Sequence, residues 1–162
     1  NILEPSMGVG NFFGMLPDSM LGSRLYGVEL DSITGRIAQK LYPQAEIKVA
    51  GFETTDRRDF FDLAIGNVPF GQYQVNDRAY NKLGFSIHDY FFAKTLDQVR
   101  PGGVIAFVTS RYTMEERKLF QIFLSCKSVT DSSTLNLTGC ISVKMRTDFP
   151  SISISSTTPK WY

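Results

Sequence analysis

Hydrophobic residues fall along this chain in short blocks separated by turn-forming residues, and the blocks follow two different spacings. Ile2-Leu3 and the stretches 24–28, 45–50, 60–65 and 104–108 are apolar runs of strand length. The last two are apolar enough to be buried on both sides. Residues 31–41 instead set Ile33, Ile37, Ala38 and Leu41 at helical spacing, with Tyr42-Pro43 as the stop. Residues 87–99 repeat that spacing with Tyr90, Phe91, Ala93, Lys94, Leu96 and Val99. Arg100-Pro101-Gly102-Gly103 then turns the chain sharply into its fifth strand. Strand and helix alternate, which predicts an α/β domain: a central, mostly parallel sheet with helices on both faces, joined by right-handed crossovers.

The end of the chain behaves differently. Residues 115–124 read as a further helix, and from Ser125 onward Ser and Thr dominate. Short alternating stretches at 134–137, 141–145 and 152–155 suit either a hairpin or a disordered end. The expected division is a core at 1–124 and a Ser/Thr-rich tail at 125–162. Asn1-Ile2-Leu3-Glu4 already looks like the inside of a strand. The chain is therefore expected to begin in mid-domain, with the sheet incomplete at both ends.

Composition narrows the function classes. At 162 residues, 43% hydrophobic and 20% charged, the chain is a single globular domain's worth with a core of its own. A net charge of +1 leaves no broad basic surface for nucleic acid, so such a partner needs a local patch or another domain. Cys126 and Cys140 have neither metal-ligand spacing nor a disulfide framework. No metal is expected, and a reduced cytoplasmic setting is the default. No apolar run reaches membrane-spanning length, so no membrane partner is expected.

The candidate chemistry lies in the loops after the strands, where open parallel sheets bind ligands. The first strand ends at Glu4 and runs into Pro5-Ser6-Met7-Gly8-Val9-Gly10-Asn11-Phe12. Two glycines there let backbone pass close to a ligand, although the third glycine of the dinucleotide fingerprint is absent. The second strand ends Glu29-Leu30-Asp31. Asp31 and Ser32 suit a helix cap, which leaves Glu29, 19 residues after Gly10, free to accept both hydroxyls of a ribose. After the third strand, Phe52 could lie on an adenine ring while Glu53 reads its edge; an equal reading puts Phe52 in the core and Glu53 in solvent. After the fourth strand comes Gly66-Asn67-Val68-Pro69-Phe70-Gly71. Asn67 offers an acceptor and a donor, Val68 before a proline is held extended, and Phe70 supplies a flat ring. Two acceptors beside an aromatic face suit a planar molecule carrying an amino group; a plain strand-ending turn is the alternative. The polar stretch 71–86 reads as a long loop of the kind that serves as a lid or substrate contact. His88, the single histidine, reads as a helix-entry residue packing at the surface, with a catalytic base as the alternative.

Together these motifs resemble the S-adenosylmethionine-dependent adenine-N6 DNA methyltransferases, in particular the large methylases of phages and mobile elements that are often joined to helicase-like domains. Glu4-Pro5-Ser6-Met7-Gly8-Val9-Gly10-Asn11-Phe12 looks like the family's cofactor loop, and Tyr26-Gly27-Val28-Glu29-Leu30-Asp31 like its ribose-binding acid. Asn67-Val68-Pro69-Phe70 looks like its catalytic tetrapeptide, with Val68 where a proline is usual. His88 to Lys94 and Arg100 to Phe107 match the helix and strand that come next. The resemblance covers residues 1 to about 116 and implies a Rossmann-like class I methyltransferase fold. It implies S-adenosyl-L-methionine as cofactor, held by Glu4, Pro5, Ser6, Gly8, Gly10, Glu29, Leu30, Phe52 and Glu53. It implies catalysis by Asn67, Val68, Pro69 and Phe70 on an adenine flipped from double-stranded DNA, in a bacterial or phage setting of restriction and modification. The family's helix before the cofactor loop, its last two strands and its target-recognition domain are not recognisable in this sequence. An RNA or protein-glutamine N-methyltransferase shares a similar tetrapeptide. A non-catalytic nucleotide-binding fragment of a larger mobile-element protein is the alternative from another class.

Overall fold

Three residues, Ile2–Glu4 (β1), hold the middle of the sheet. They pair in parallel with Leu25–Glu29 (β2) on one side and Phe61–Asn67 (β4) on the other, so that Leu3 stands level with both Tyr26 and Ala64. Glu46–Val49 (β3) extends the sheet beyond β2, and Val99–Val108 (β5) extends it beyond β4. Cys140–Ile141 (β6) lies against β5, giving the order β3-β2-β1-β4-β5-β6 with every pairing parallel. The computed structural model describes residues 1–108 and 140–141. The helix expected at 115–124, the stretches 134–137 and 152–155, and the expected boundary at 124 lie outside the described residues.

The expected parallel α/β sheet is present, and two strand ends differ from the reading of the sequence. β4 keeps its ladder through Gly66 and Asn67, with Asn67 opposite Val108. Backbone pairing does not require the apolar side chains that marked the run as ending at Ile65. β5 begins at Val99, opposite Phe61, slips across the 100–103 turn and resumes at Val104 opposite Leu63.

Alternation along β1 feeds two cores. Leu3 joins Phe52, Ala64, Phe91, Phe92, Ile105 and Phe107 on one face, while Ile2 joins Met7, Phe13 and Ala38 on the other. Helix Ile87–Gln98 (α2) belongs to the first face and is buried almost all round. Helix Ser32–Leu41 (α1) covers the second, capped by Asp31, whose carboxylate accepts from the N–H groups of Ile33 and Thr34. The contacts of α1 are made by its smallest residues. Gly35 sits so close to Val49 that a methyl group there would come within 2.9 Å of it, and Ala38 is fully buried. Ile33, Ile37 and Leu41 stay exposed. Periodicity located the helix, and the close approach at Gly35 decided which stripe docks.

The 71–86 stretch is a built loop. A turn at Asn81–Leu83 closes it, the Ile87 N–H donates to the Tyr73 carbonyl at 2.8 Å, and Asp77 reaches into the core. Asp77 accepts from Lys94 Nζ at 2.6 Å and from the Tyr90 hydroxyl at 2.8 Å, both inside α2. Lys94 also donates to the Glu53 carbonyl at 3.3 Å and lies over the rings of Phe52, Tyr80 and Tyr90. One ammonium thus ties the loop, α2 and the turn after β3 together.

Asp77 and Glu4 show the two outcomes open to a buried carboxyl group. Burial alone would raise Asp77, but the Lys94 ammonium and the Tyr90 hydroxyl outweigh it and hold the group below its ordinary value. Glu4 has no cation paired with it among the described residues. Burial pushes its pKa from 4.5 up to about 8, against the hydrogen bonds it accepts from the Phe12 and Phe13 N–H groups and with a smaller push from Glu29.

Removing the partner of Asp77 should therefore be costly. Lys94→Met should destabilise the fold by about 3–5 kcal/mol in urea denaturation, because it leaves a carboxylate buried and unpaired. The double variant Lys94→Met, Asp77→Asn should recover part of that loss. Glu4 should make stability depend on pH with a definite sign. Its folded value lies above its ordinary one, so its contribution is complete below pH 4.5 and is lost as pH rises towards about 8. Between those limits the wild type should lose up to about 1.4 kcal/mol per pH unit relative to Glu4→Gln. Denaturation of both at pH 5 to 8 checks it, and parallel curves would refute it.

Candidate active site at the β1–β4 junction

The chain leaves β1 for β2 on one side and returns to β4 on the other, so the loops after β1 and β4 part above the sheet and leave a crevice. The two loops start from touching backbones. A methyl group on Gly66 would lie 3.6 Å from the Pro5 ring and 3.8 Å from the Glu4 side chain. The loop carrying Gly8 and the one carrying Asn67 are therefore neighbours by construction.

The first loop is braced from below. Met7 donates to the Val28 carbonyl at 3.0 Å, and Gly10 donates back to the Met7 carbonyl at 2.8 Å. Gly8 and Gly10 both have positive φ, +56° and +87°, a conformation that favours glycine. Their surroundings differ. No described residue lies within 4 Å of the position a Gly8 side chain would take, so among the described residues this part of the loop faces open space. Gly10 packs on the Tyr42 ring, and the Tyr42 hydroxyl donates to its carbonyl at 2.7 Å. Glu4 and Pro5 are buried beneath the loop; Glu4 is 1% exposed, and its Oε2 has no hydrogen-bond partner among the described residues. Ser6 is half-buried.

Glu29 is not free, as the sequence suggested it would be. Its Oε2 accepts from the Gly8 N–H at 2.7 Å and its Oε1 from the Asp31 N–H at 2.8 Å. The carboxylate staples the glycine loop to the end of β2, and each oxygen keeps a second lone pair. Leu30 beside it is 77% exposed. Phe52 is placed where its alternative reading had it. It is 3% exposed, and its ring stacks on Phe91 with centroids 4.9 Å apart. The core claims the ring because α2 supplies aromatic partners that the sequence leaves distant. Glu53 is exposed, and its carboxylate folds back over Gly51.

At the second loop Asn67 is exposed as the last residue of β4, and its side chain has no hydrogen bond to the described residues. Val68 is buried at 1% exposure, which fixes the backbone beside Asn67. Phe70 is 50% exposed. Behind it lies His88, expected at the surface and found buried in the first turn of α2. A capping exchange between Ser86 and Asp89 starts the helix here: the Ser86 hydroxyl donates to Asp89 at 2.8 Å, and the Asp89 N–H donates to the hydroxyl at 3.3 Å. That Ser-x-x-Asp spacing marks the start of the helix in the sequence, but no local signal places His88 against the tetrapeptide.

A cavity of about 220 Å³ lined by Tyr26, Lys48, Thr55 and Arg57 includes neither Gly8 nor Asn67 and lies apart from the candidate site. Among the described residues no group of three or more His, Cys, Asp or Glu could hold a metal ion, and no helix is long and apolar enough to cross a membrane.

No protein-family model matches the chain. Two curated proteins do. Defense against restriction protein B of Escherichia phage P1 is 35% identical over 114 residues, covering 67% of this chain and 5% of that protein. Type II methyltransferase M.CvrRI of Paramecium bursaria Chlorella virus XZ-6E is 40% identical over 70 residues, covering 43% of this chain and 18% of that protein. The chain thus spans only a small part of the length of the curated relatives it matches. Among solved structures, a Listeria monocytogenes protein described as a class I S-adenosylmethionine-dependent methyltransferase matches with a TM-score of 0.61 and 19% identity, over 78% of this chain and 44% of that one. A TehB-like S-adenosylmethionine-dependent methyltransferase of Corynebacterium glutamicum matches with a TM-score of 0.52 and 18% identity, over 77% of this chain and 63% of that one. At such identities the likeness is one of fold. The sheet order and these matches give the chain the fold of the class I S-adenosylmethionine-dependent methyltransferases.

Proposed function

We propose that residues 1–124 are the core of a methyltransferase that transfers a methyl group to the exocyclic N6 of adenine in double-stranded DNA. The observation that carries this reading is the exposed amide of Asn67, at the end of β4 and next to the β1 loop, with half-exposed Phe70 three residues on. A type II methyltransferase and a phage protein named for defence against restriction are among the relatives, and both names fit the modification of DNA.

The residues around the glycine loop fit the cofactor. The open space above Gly8 admits a ligand against bare backbone. Glu29 retains lone pairs for ribose hydroxyls, exposed Leu30 offers an apolar flank for a base, and Glu53 stands near for its edge. In this reading Glu4, Pro5, Ser6 and Gly10 line the floor of the cofactor site, and Phe52 stays in the core beneath the turn after β3. Bound there, S-adenosyl-L-methionine supplies a methyl group already activated by its sulfonium, so the chain itself contributes position and electrostatics.

Adenine's amino nitrogen is a poor nucleophile because its lone pair is delocalised into the ring. The Asn67 side-chain oxygen and the Val68 carbonyl each accept one of its N–H bonds, which favours a tetrahedral nitrogen with its lone pair aimed across the crevice. The Val68 carbonyl serves as well as a proline's would, since only the backbone is used. Pro69 stiffens the turn and Phe70 stacks on the flipped base. With a net charge of +1, grip on the duplex falls to recognition or helicase-like domains elsewhere on a longer chain.

Asn67→Ala should lower methyl transfer to DNA by at least about 100-fold, the scale of losing one positioned transition-state hydrogen bond, with cofactor affinity unchanged by calorimetry. Retained activity would refute the assigned role. Glu29→Ala should weaken S-adenosyl-L-methionine binding by about 10–100-fold, because it removes both the staple on Gly8 and a charged acceptor. An unchanged dissociation constant would remove Glu29 from the cofactor site.

A further inference from the structure

His88 lies behind the tetrapeptide and touches it twice. Its Nδ1 is 3.2 Å from the Pro69 carbonyl oxygen. A carbonyl only accepts, so Nδ1 carries the proton in this contact. Its ring stacks on Phe70 with centroids 4.7 Å apart and planes 17° from parallel. The imidazole rests in turn on the edge of Phe92 at 5.3 Å, and Phe92 rests on Phe107 at 5.2 Å. Phe107 stands opposite Gly66 in the sheet. A column of rings thus runs from β5 through α2 to Phe70. His88 is buried while Phe70 is half-exposed, so the imidazole covers one face of the Phe70 ring.

We propose that His88 is a positioning residue for the methyl-transfer site, with two separable actions. Its ring holds Phe70 as a fixed platform for the extruded base. Its Nδ1–H holds the Pro69 carbonyl, and because the pyrrolidine ring fixes φ at Pro69, this also fixes the Val68 carbonyl on the other side of that residue. The proposal rests on the reading of the substrate as adenine in DNA.

The two actions call for two variants. His88→Asn keeps a donor near the position of Nδ1 and loses the ring; it should raise KM for unmethylated plasmid DNA about tenfold with little change in kcat, the scale of one base–aromatic stack. His88→Phe keeps a ring and loses the donor; it should lower kcat about tenfold with little change in KM, since the acceptors are no longer aimed. Calorimetry should show both variants binding S-adenosyl-L-methionine like the wild type, which separates these effects from misfolding. The stack has its own readout. His88 is the only histidine, so its imidazole proton resonances are identified directly. They should lie upfield in the wild type and move downfield in Phe70→Leu. Imidazole resonances indifferent to Phe70→Leu, or a methylating wild type whose two His88 variants share its KM and kcat, would overturn the proposal alone. A wild type that binds the cofactor and leaves DNA unmethylated would overturn the reading beneath it, and the proposal with it.

Discussion

The parallel pairing of β1 with β4 is the constraint on which the candidate site depends. Only two residue pairs define that register, Ile2 with Leu63 and Leu3 with Ala64. They bring Gly66 flat against Glu4 and Pro5, and from that contact the glycine loop and the Asn67 loop rise side by side. A methyl group at 66 would just fill the space between them, at 3.6 Å from the Pro5 ring. Parallel strands cannot be joined by a short turn, so these loops, far apart in sequence, become neighbours only through the whole β2–α1–β3 excursion. The site is a product of topology before it is a product of side chains.

Much of this was legible in the residues, and the misses share a cause. Strand positions, helix positions and the parallel sheet come from local spacing, and Asp31 as a cap comes from a local preference. Spacing cannot show which partner arrives from far along the chain. Phe52 reads as a possible ligand platform until Phe91 covers it. His88 reads as a surface residue until Phe70 and Phe92 enclose it. Asp77 belongs to the polar stretch 71–86 and Lys94 to the helical run, and nothing in either segment shows that they are a buried pair. In α1 the apolar stripe was visible, but the docking stripe was set by Gly35 against Val49. Each case turns on long-range packing, which the composition of a segment does not contain.

The buried polar groups divide the labour between rigidity and chemistry. The Asp77–Lys94 pair lies inside the α2 face and fixes the shape of the 71–86 loop. Pairs of this kind stabilise little over an apolar core of the same shape, yet they penalise every arrangement that separates them. Here the pair ties Asp77 of that loop to Lys94 of α2. Glu4, without a cation, resolves the same problem by staying neutral. Both groups are buried, whereas Asn67 and Leu30 are exposed.

Glu29 is a carboxylate that the protein has already engaged. Its carboxylate holds the Gly8 and Asp31 amides through contacts within the chain itself. The glycine loop therefore takes its shape from the fold, and arrival of a guest freezes little additional backbone motion. Under the proposed function, a loop preorganised in this way would spare binding part of its ordering cost.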